Sequence, residues 1–249
     1  MTVKTNRPSD IPLPLDRAPK EIACMFNGIA RRYDLLNRVL SVGFDRSWRK
    51  RAVEALALSG DETVIDLCTG TADLALELSK PKVGINCVVG IDFAEEMLRH
   101  GQKKIESATH DGRIFLLRGD AVKIPFADRS VDAVTIGFGI RNVFYPVEVL
   151  SEICRVLRPG GKLVVLEFSE PSWPPLRMIY LWYFYHVLPV VGKLISKHPS
   201  AYTYLPESVV EFYRPKVFCE LLQFAGFSDI CAKPLTLGVV YLYEATRRL

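Results

Sequence analysis

Short apolar runs alternate with amphipathic stretches from Thr63 onward. Residues 63–67, 87–92, 113–117, 131–136 and 162–168 are dominated by β-branched and aliphatic side chains. Between them, residues 72–79, 94–105 and 146–156 repeat apolar positions every three or four residues. The first pattern predicts buried strands and the second predicts helices. Their alternation predicts a parallel sheet with helices on both faces. Ahead of this region, Ile22, Phe26, Ile29, Tyr33, Leu36 and Leu40 keep helical spacing until Ser41 and Gly43 interrupt it, so two helices precede the sheet. Arg158-Pro159-Gly160-Gly161 reads as the turn before the strand at 162–168. Runs 227–233 and 239–243 are joined by only five residues. That link is too short for a crossover helix, so the last two strands are antiparallel.

The predicted fold is therefore α/β and Rossmann-like: a mostly parallel seven-stranded sheet with a C-terminal antiparallel hairpin and helices on both faces. The hairpin counts against an ordinary dehydrogenase domain. With 249 residues, 49% of them hydrophobic, the chain can bury one substantial core. Residues 1–19, with Pro8, Pro12 and Pro14, read as a flexible arm and lack the basic-then-apolar order of a signal peptide. Residues 20–249 read as one domain, with N-terminal helices over 20–60. A net charge of +4, from 32 basic and 28 acidic residues, gives no argument for nucleic acid and does not oppose an anionic lipid surface. Six cysteines without a Cys-x-x-Cys pair or metal-ligand spacing read as reduced cytosolic thiols, with no metal expected.

The candidate chemistry sits at the strand ends. Val64 to Asp73 is an apolar strand running into a turn of small residues, Cys68-Thr69-Gly70-Thr71-Ala72, that opens a helix. Doubly wound folds bind nucleotides at such a point. Asp92 ends the next strand, where a carboxylate can take both ribose hydroxyls. Asp120 follows the third strand, where a carboxylate can accept from an adenine amine. A dinucleotide pyrophosphate would need more glycine and less negative charge than a turn flanked by Asp66 and Asp73 offers. A sulfonium and an ammonium group suit it better, which favours S-adenosylmethionine as co-substrate. The alternative is that these carboxylates only cap helices and turns.

Four stretches resemble the demethylmenaquinone and ubiquinone methyltransferase family, within the class I methyltransferases that use S-adenosylmethionine. They are Tyr33-Asp34-Leu35-Leu36-Asn37 through Ser41-Val42-Gly43 to Trp48; the turn from Asp66 to Asp73; Gly137-Phe138-Gly139-Ile140-Arg141-Asn142; and Glu167-Phe168-Ser169 through Pro174-Pro175-Leu176 to Tyr202, Tyr204 and Ser208. The resemblance implies that Thr71, Asp92, Asp120 and the backbone of Ala121 hold the methyl donor. The turn adds Asp66, Gly70 and Asp73. Two departures stand out: Ala72 where the family usually has glycine, and Gly137 where many members have serine. The implied reaction is methylation of a prenylated quinol ring carbon, demethylmenaquinol first and the benzoquinol precursor of ubiquinone second. A ring carbon becomes nucleophilic when a neighbouring hydroxyl ionises, so a phenolate stabiliser is needed. Arg141, with Asn142, is the candidate, and pairing of Arg141 with a carboxylate such as Glu148 is the structural alternative. Tyr33, Asn37, Tyr202 and Tyr204 are candidate ring contacts, with core packing as their alternative.

Residues 170–212 hold the most apolar stretch, Met178 to Tyr185 continuing through Val187 to Val191. His186 and Pro189 interrupt it, and it is shorter than the roughly 20 residues of a membrane helix. It reads as a lid giving an isoprenoid tail an apolar path, or as a cover for the sheet or a homodimer contact. The expected location is cytoplasmic, peripheral on the inner face of the membrane. Two rivals stay open: a methyltransferase of small soluble phenols, and a non-catalytic scaffold that binds the donor within a quinone-synthesis complex.

Overall fold

A computed structural model of the chain describes residues 19–80, 83–108, 112–187 and 200–249. The expected arm up to residue 18 and the apolar continuation at 188–191 lie outside the described residues.

Seven strands form one sheet: β1 (Thr63–Leu67), β2 (Cys87–Asp92), β3 (Ile114–Arg118), β4 (Val131–Gly137), β5 (Leu157–Phe168), β6 (Phe227–Leu235) and β7 (Val240–Arg247). Their order is β3-β2-β1-β4-β5-β7-β6. The first five pair in parallel. β7 enters antiparallel between β5 and β6, from Lys162↔Thr246 to Phe168↔Val240 against β5. The C-terminal pair is thus antiparallel as the short link requires, and its second strand is interior. β1 lies between β2 and β4, the switch point where the crossovers diverge and a crevice opens beyond the strand ends.

Both faces of the sheet are covered, which is why its central strands are apolar throughout rather than alternating. On one face Ile65, Leu67, Val134, Ile136 and Val165 pack with α5 (Pro146–Val156) and α8 (Pro215–Phe224), through Leu150, Ile153, Phe218 and Leu222. On the other, Val64, Val88, Ala133, Val164 and Leu166 meet α2 (Asp45–Ala55) and α3 (Asp73–Leu78), through Trp48, Ala52, Leu74 and Leu78. Burying a side chain of this size stabilises the fold by about 1.5–3 kcal/mol. The Arg158–Gly161 turn lies within β5 as a bulge, since pairing with β4 steps from Val131↔Leu157 to Ala133↔Lys162. A Cβ at Gly161 would lie 2.8 Å from the Arg158 carbonyl oxygen, so only glycine fits there.

A third layer caps the strand ends. α1 (Pro19–Leu40) packs through Ile29 and Leu36 on Tyr180, Phe184 and Val209. These come from α6 (Pro174–Trp182), the π-helical turn Tyr183–Val187 that continues it, and α7 (Ser200–Glu211). Ala30 packs with Ala94 and Met97 of the α4 region, where α4 spans Glu95–Ser107. No described helix is long and apolar enough to cross a membrane.

Candidate active site

The turn after β1 is wound by left-handed residues: Cys68 (φ 57°), Gly70 (φ 56°) and Ala72 (φ 64°). This conformation costs an L-residue roughly 1–2 kcal/mol, which explains why small residues crowd the turn. Two carboxylates hold the turn. Asp66 Oδ1 accepts from the Thr135 hydroxyl (2.8 Å) and Oδ2 from the Thr69 hydroxyl (2.6 Å). Burial pushes the Asp66 carboxyl up to about 6, against the lowering effect of these two hydroxyls. Asp92 Oδ2 accepts from the Gly70 amide (2.8 Å) and Oδ1 from the Ala94 amide (2.9 Å), and burial raises its pKa as well. An ionised carboxylate has about four acceptor positions, so Asp92 keeps capacity toward the space beside it. Burial, then the charges of Asp92 and Asp66, push the Cys68 thiol up, so it remains a neutral thiol. Asp120 is exposed just beyond β3, one oxygen accepting from the Val122 amide (3.1 Å), with Ala121 half-buried next to it.

Thr71 and Asp73 belong to a charged network that local sequence does not reveal. The buried Thr71 hydroxyl donates to Asp34 Oδ1 of α1 (2.5 Å). Lys104 of α4 bridges Asp34 (2.8 Å) and Asp73, and Arg49 of α2 lies 3.1 Å from Asp73. Arg49 and Lys104 hold the Asp73 carboxyl below its usual range despite its burial. Two cations therefore offset Asp73, and Asp66 is close to neutral at mildly acidic pH. The turn is less acidic than its sequence implies, and the charge argument for a cationic ligand rests mainly on Asp92.

The acceptor side begins where β4 ends. Phe138 is itself left-handed (φ 58°) and leads into the 3₁₀ turn Ile140–Asn142. Arg141 is buried, and its Nη1 donates to Glu167 Oε1 (2.6 Å) and to the Phe138 carbonyl (2.7 Å). Its guanidinium lies 5.5 Å from the Phe168 ring centre. The carboxylate that pairs with Arg141 is Glu167 at the end of β5, not Glu148. Glu167 is fully buried and also accepts the Phe168 amide (2.9 Å). Burial lowers the Arg141 pKa, but Glu167, Tyr33 and Tyr204 more than offset this, so the guanidinium stays charged. Its Nε is buried without a hydrogen-bond partner. The Tyr204 hydroxyl donates to Asn142 Oδ1 (2.8 Å). Burial raises the Tyr33 phenol, opposed by the charge of Arg141 and a hydrogen bond with Asn37. The structure thus gathers Tyr33, Asn37, Arg141, Asn142 and Tyr204 at one place; the side chain of Tyr202 lies outside the described residues.

Three adjoining cavities meet at Tyr33 and Phe138. One, of about 410 Å³ counted to its open mouth, runs along Gly70, Asp92, Phe93, Met97 and Asn142. A second lies at the turn against Arg49, Asp66, Thr71 and Asp73. The third, of about 540 Å³, lies between α1 and α7, with Met25, Ile29, Leu36, Leu40 and Leu205 as apolar wall and Asn37, Arg141 and Tyr204 at its polar end. The residues fit an adenosine-bearing cation. Asp92 offers ribose acceptors, a Cβ at Gly70 would meet nothing among the described residues within 4 Å so the approach is open, and among the described residues no basic side chain lines the cavity along Asp92. Sequence reasoning missed Asp34, Arg49, Lys104 and Glu167. Glu167 carried a signal, a carboxylate ending the apolar run Leu163–Leu166; the other three are joined only by long-range pairing.

The sheet order, the antiparallel β7 and a carboxylate-bearing crevice at the β1 switch point define a class I methyltransferase that uses S-adenosylmethionine. A methyltransferase of that class from Aquifex aeolicus superposes with a TM-score of 0.61 over 93% of this chain and 99% of its own, at 18% identity. The ubiE/COQ5 methyltransferase family profile matches residues 16–247, and the chain belongs to that family. It is 45% identical to the ubiquinone/menaquinone biosynthesis C-methyltransferase UbiE of Geobacter sp. (strain M21), over 94% of this chain and 99% of that protein. It is 40% identical to the demethylmenaquinone methyltransferase of Porphyromonas gingivalis, over 90% and 91% of the respective chains.

Proposed function

We propose that the chain methylates a ring carbon of a prenylated quinol, with demethylmenaquinol as principal acceptor and the benzoquinol precursor of ubiquinone as a second. The observation that carries this reading is the apolar cavity between α1 and α7, whose polar end opens beside the donor-side cavities at Tyr33 and Phe138. When bound, S-adenosylmethionine supplies an electrophilic methyl group on sulfur. The protein's work is then to hold the ring carbon in line with it, and positioning of this kind is worth about 7–11 kcal/mol in favourable cases. Asp92 takes the ribose hydroxyls, Asp120 and Ala121 the adenine, and Gly70, Thr71, Asp66 and Asp73 shape the turn. Tyr33, Asn37 and Tyr204 orient the ring hydroxyls. Arg141 remains protonated, so it stabilises the ring oxygen as its proton leaves to water rather than accepting that proton. Asn142 holds Tyr204 against this edge. The ring carbon's electron pair forms the new bond to methyl, the carbon–sulfur pair returns to sulfur, and loss of the ring hydrogen as a proton restores aromaticity.

The tail would leave along the aliphatic wall toward α6. That helix and the π-helical turn after it bury Tyr180 and Phe184 and expose Met178, Ile179, Trp182 and Tyr185, beside the exposed Trp173 that precedes the helix. Aromatics of this kind suit a bilayer interface, and a substrate dissolved in lipid gives the face its occupant. The protein would thus sit on the inner face of the membrane. Labelled S-adenosylmethionine, supplied with reduced demethylmenaquinone or the reduced benzoquinone precursor, should label a ring carbon. A soluble catechol methylated faster would favour the small-phenol reading. Donor binding without transfer would favour the scaffold. Flotation with anionic vesicles should be lost in Trp182→Ser; concentration-dependent pairing without flotation would assign the face to a second copy.

A further inference from the structure

Beyond the donor and acceptor cavities lies another open space, of about 950 Å³ counted to its mouth, lined in part by Ser169, Glu170, Arg177, Val209, Tyr213 and Arg214. The elements that frame it also frame the acceptor cavity. Phe168 lines the acceptor cavity and Glu170, two residues on, lines this outer one; Tyr204 and Leu205 of α7 line the first, and Val209, about one turn on, lines the second. Tyr180 of α6 belongs to the partition, in the apolar cluster that contains Val209 and has Phe168 and Leu205 packed against it. Three buried polar atoms lie along this partition without a hydrogen-bond partner among the described residues: Arg141 Nε, Tyr180 Oη and Glu170 Oε1. The Arg141 and Tyr180 side chains are buried. Glu170 is partly open, and its other oxygen pairs with the exposed Arg177 (2.8 Å); the exposed Arg214 is the second cation of the outer cavity. Burial raises the Tyr180 phenol, opposed by the charge of Arg141 and reinforced by Glu170 and Glu167, so it stays a neutral hydroxyl. Unpaired buried polar atoms are costly, and ordered water is their ordinary partner.

Methylation of a quinol ring carbon releases one proton overall, and α1, α6 and α7 cover the place where it is released. We propose that these three atoms mark the exit path of that proton: water at Arg141 Nε, then the Tyr180 hydroxyl, then Glu170 Oε1 and the solvent of the outer cavity. The O–H bond of the ring hydroxyl breaks, and its electron pair stays on the oxygen that Arg141 stabilises. Water takes the proton and passes one to the Tyr180 oxygen, whose own proton moves to Glu170. Glu170 then releases it to solvent, so no tyrosinate forms and each group returns to its starting state. The path rests on the quinol reading, because only an acceptor whose hydroxyl ionises at Arg141 would use it.

The test is steady-state methyl transfer to reduced demethylmenaquinone in detergent micelles, in light and in heavy water, with S-adenosylhomocysteine affinity measured by calorimetry. Glu170→Gln should lower kcat about 10–100-fold, the scale of impaired proton transfer, with a larger solvent isotope effect than wild type and donor affinity unchanged. Formate should restore turnover to Glu170→Ala. Tyr180→Phe should show the same isotope signature while folding as stably as wild type or more so, since it removes an unpaired buried hydroxyl and keeps the ring. Full turnover in Glu170→Gln or in Tyr180→Phe, or a loss without a larger isotope effect, would overturn the proposal. Wild-type protein that transfers no methyl group to carbon would overturn the quinol reading and the path with it; wild-type transfer beside undamaged variants would remove the path alone.

Discussion

The donor half and the acceptor half of this site are built differently. Asp66 and Asp92 stand at strand ends, and their oxygens are fixed by neighbouring hydroxyls and by the amides of Gly70 and Ala94. Tyr33, Asn37 and Tyr204 stand on α1 and α7, which pack over the strand ends through the small cluster of Ile29, Leu36, Tyr180, Phe184 and Val209. One half is held by backbone amides and the sheet; the other is held by a modest apolar cluster and by side-chain bonds such as Tyr204 to Asn142. Asp34 links them, because it stands between the acceptor contacts Tyr33 and Asn37 on α1 and receives the Thr71 hydroxyl and Lys104 from the donor side. The comparison predicts that donor affinity and acceptor affinity can be damaged separately.

The largest effect is expected at the junction. Arg141→Ala strands the fully buried Glu167 and should cost about 3–5 kcal/mol of stability. It should also lower kcat at least about 100-fold, with S-adenosylhomocysteine affinity changed less than threefold; unchanged turnover in the folded variant would remove Arg141 from the chemistry. Asp66 gives a pH signature. Its carboxyl is raised from 3.8 to about 6 in the folded protein. The native state therefore holds the extra proton, and this contribution is full below about pH 4 and lost as pH rises through 6. Denaturant titrations should find wild type losing about 3 kcal/mol against Asp66→Asn across that window, and a flat difference would contradict the burial argument.

Asp92→Ala should weaken S-adenosylhomocysteine about 30–100-fold by calorimetry, since it removes a charged acceptor and frees the Gly70 and Ala94 amides. The acceptor KM should stay within a factor of about two. Leu40→Ala, on the acceptor wall, should do the reverse. Loss of about 1 kcal/mol of apolar contact raises the KM of a prenylated quinol about fivefold and leaves donor binding alone. The smallest effect belongs to Ala72→Gly: relief of the left-handed strain offsets the lost methyl burial and added chain freedom, and chemical denaturation should place it within about 1 kcal/mol of wild type.

The sheet was legible because its strands are continuous apolar runs broken by Gly and Pro, and the antiparallel pair because five residues cannot hold a crossover. The position of β7 between β5 and β6 was not, since pairing order is set by long-range register. At the site, strand-end carboxylates were visible as charges closing apolar runs. Their electrostatic state was not: Asp73 is offset by Lys104, thirty-one residues away, and by Arg49, and Arg141 is paired across twenty-six residues with Glu167. Local patterning reports burial and conformation, whereas charge balance depends on partners that only the fold brings together. The excursion within β5 was likewise read as a turn ahead of a strand, because Gly160 and Gly161 suit both.

The most direct test of the account varies the acceptor tail. Reduced naphthoquinols carrying none, one, two or more prenyl units are supplied with S-adenosylmethionine, and methylated product is identified by mass and ring position. The account predicts carbon methylation for all of them, with KM falling as prenyl units are added until the α1–α7 cavity is filled. Methylation on oxygen, or a KM indifferent to the tail, would contradict it.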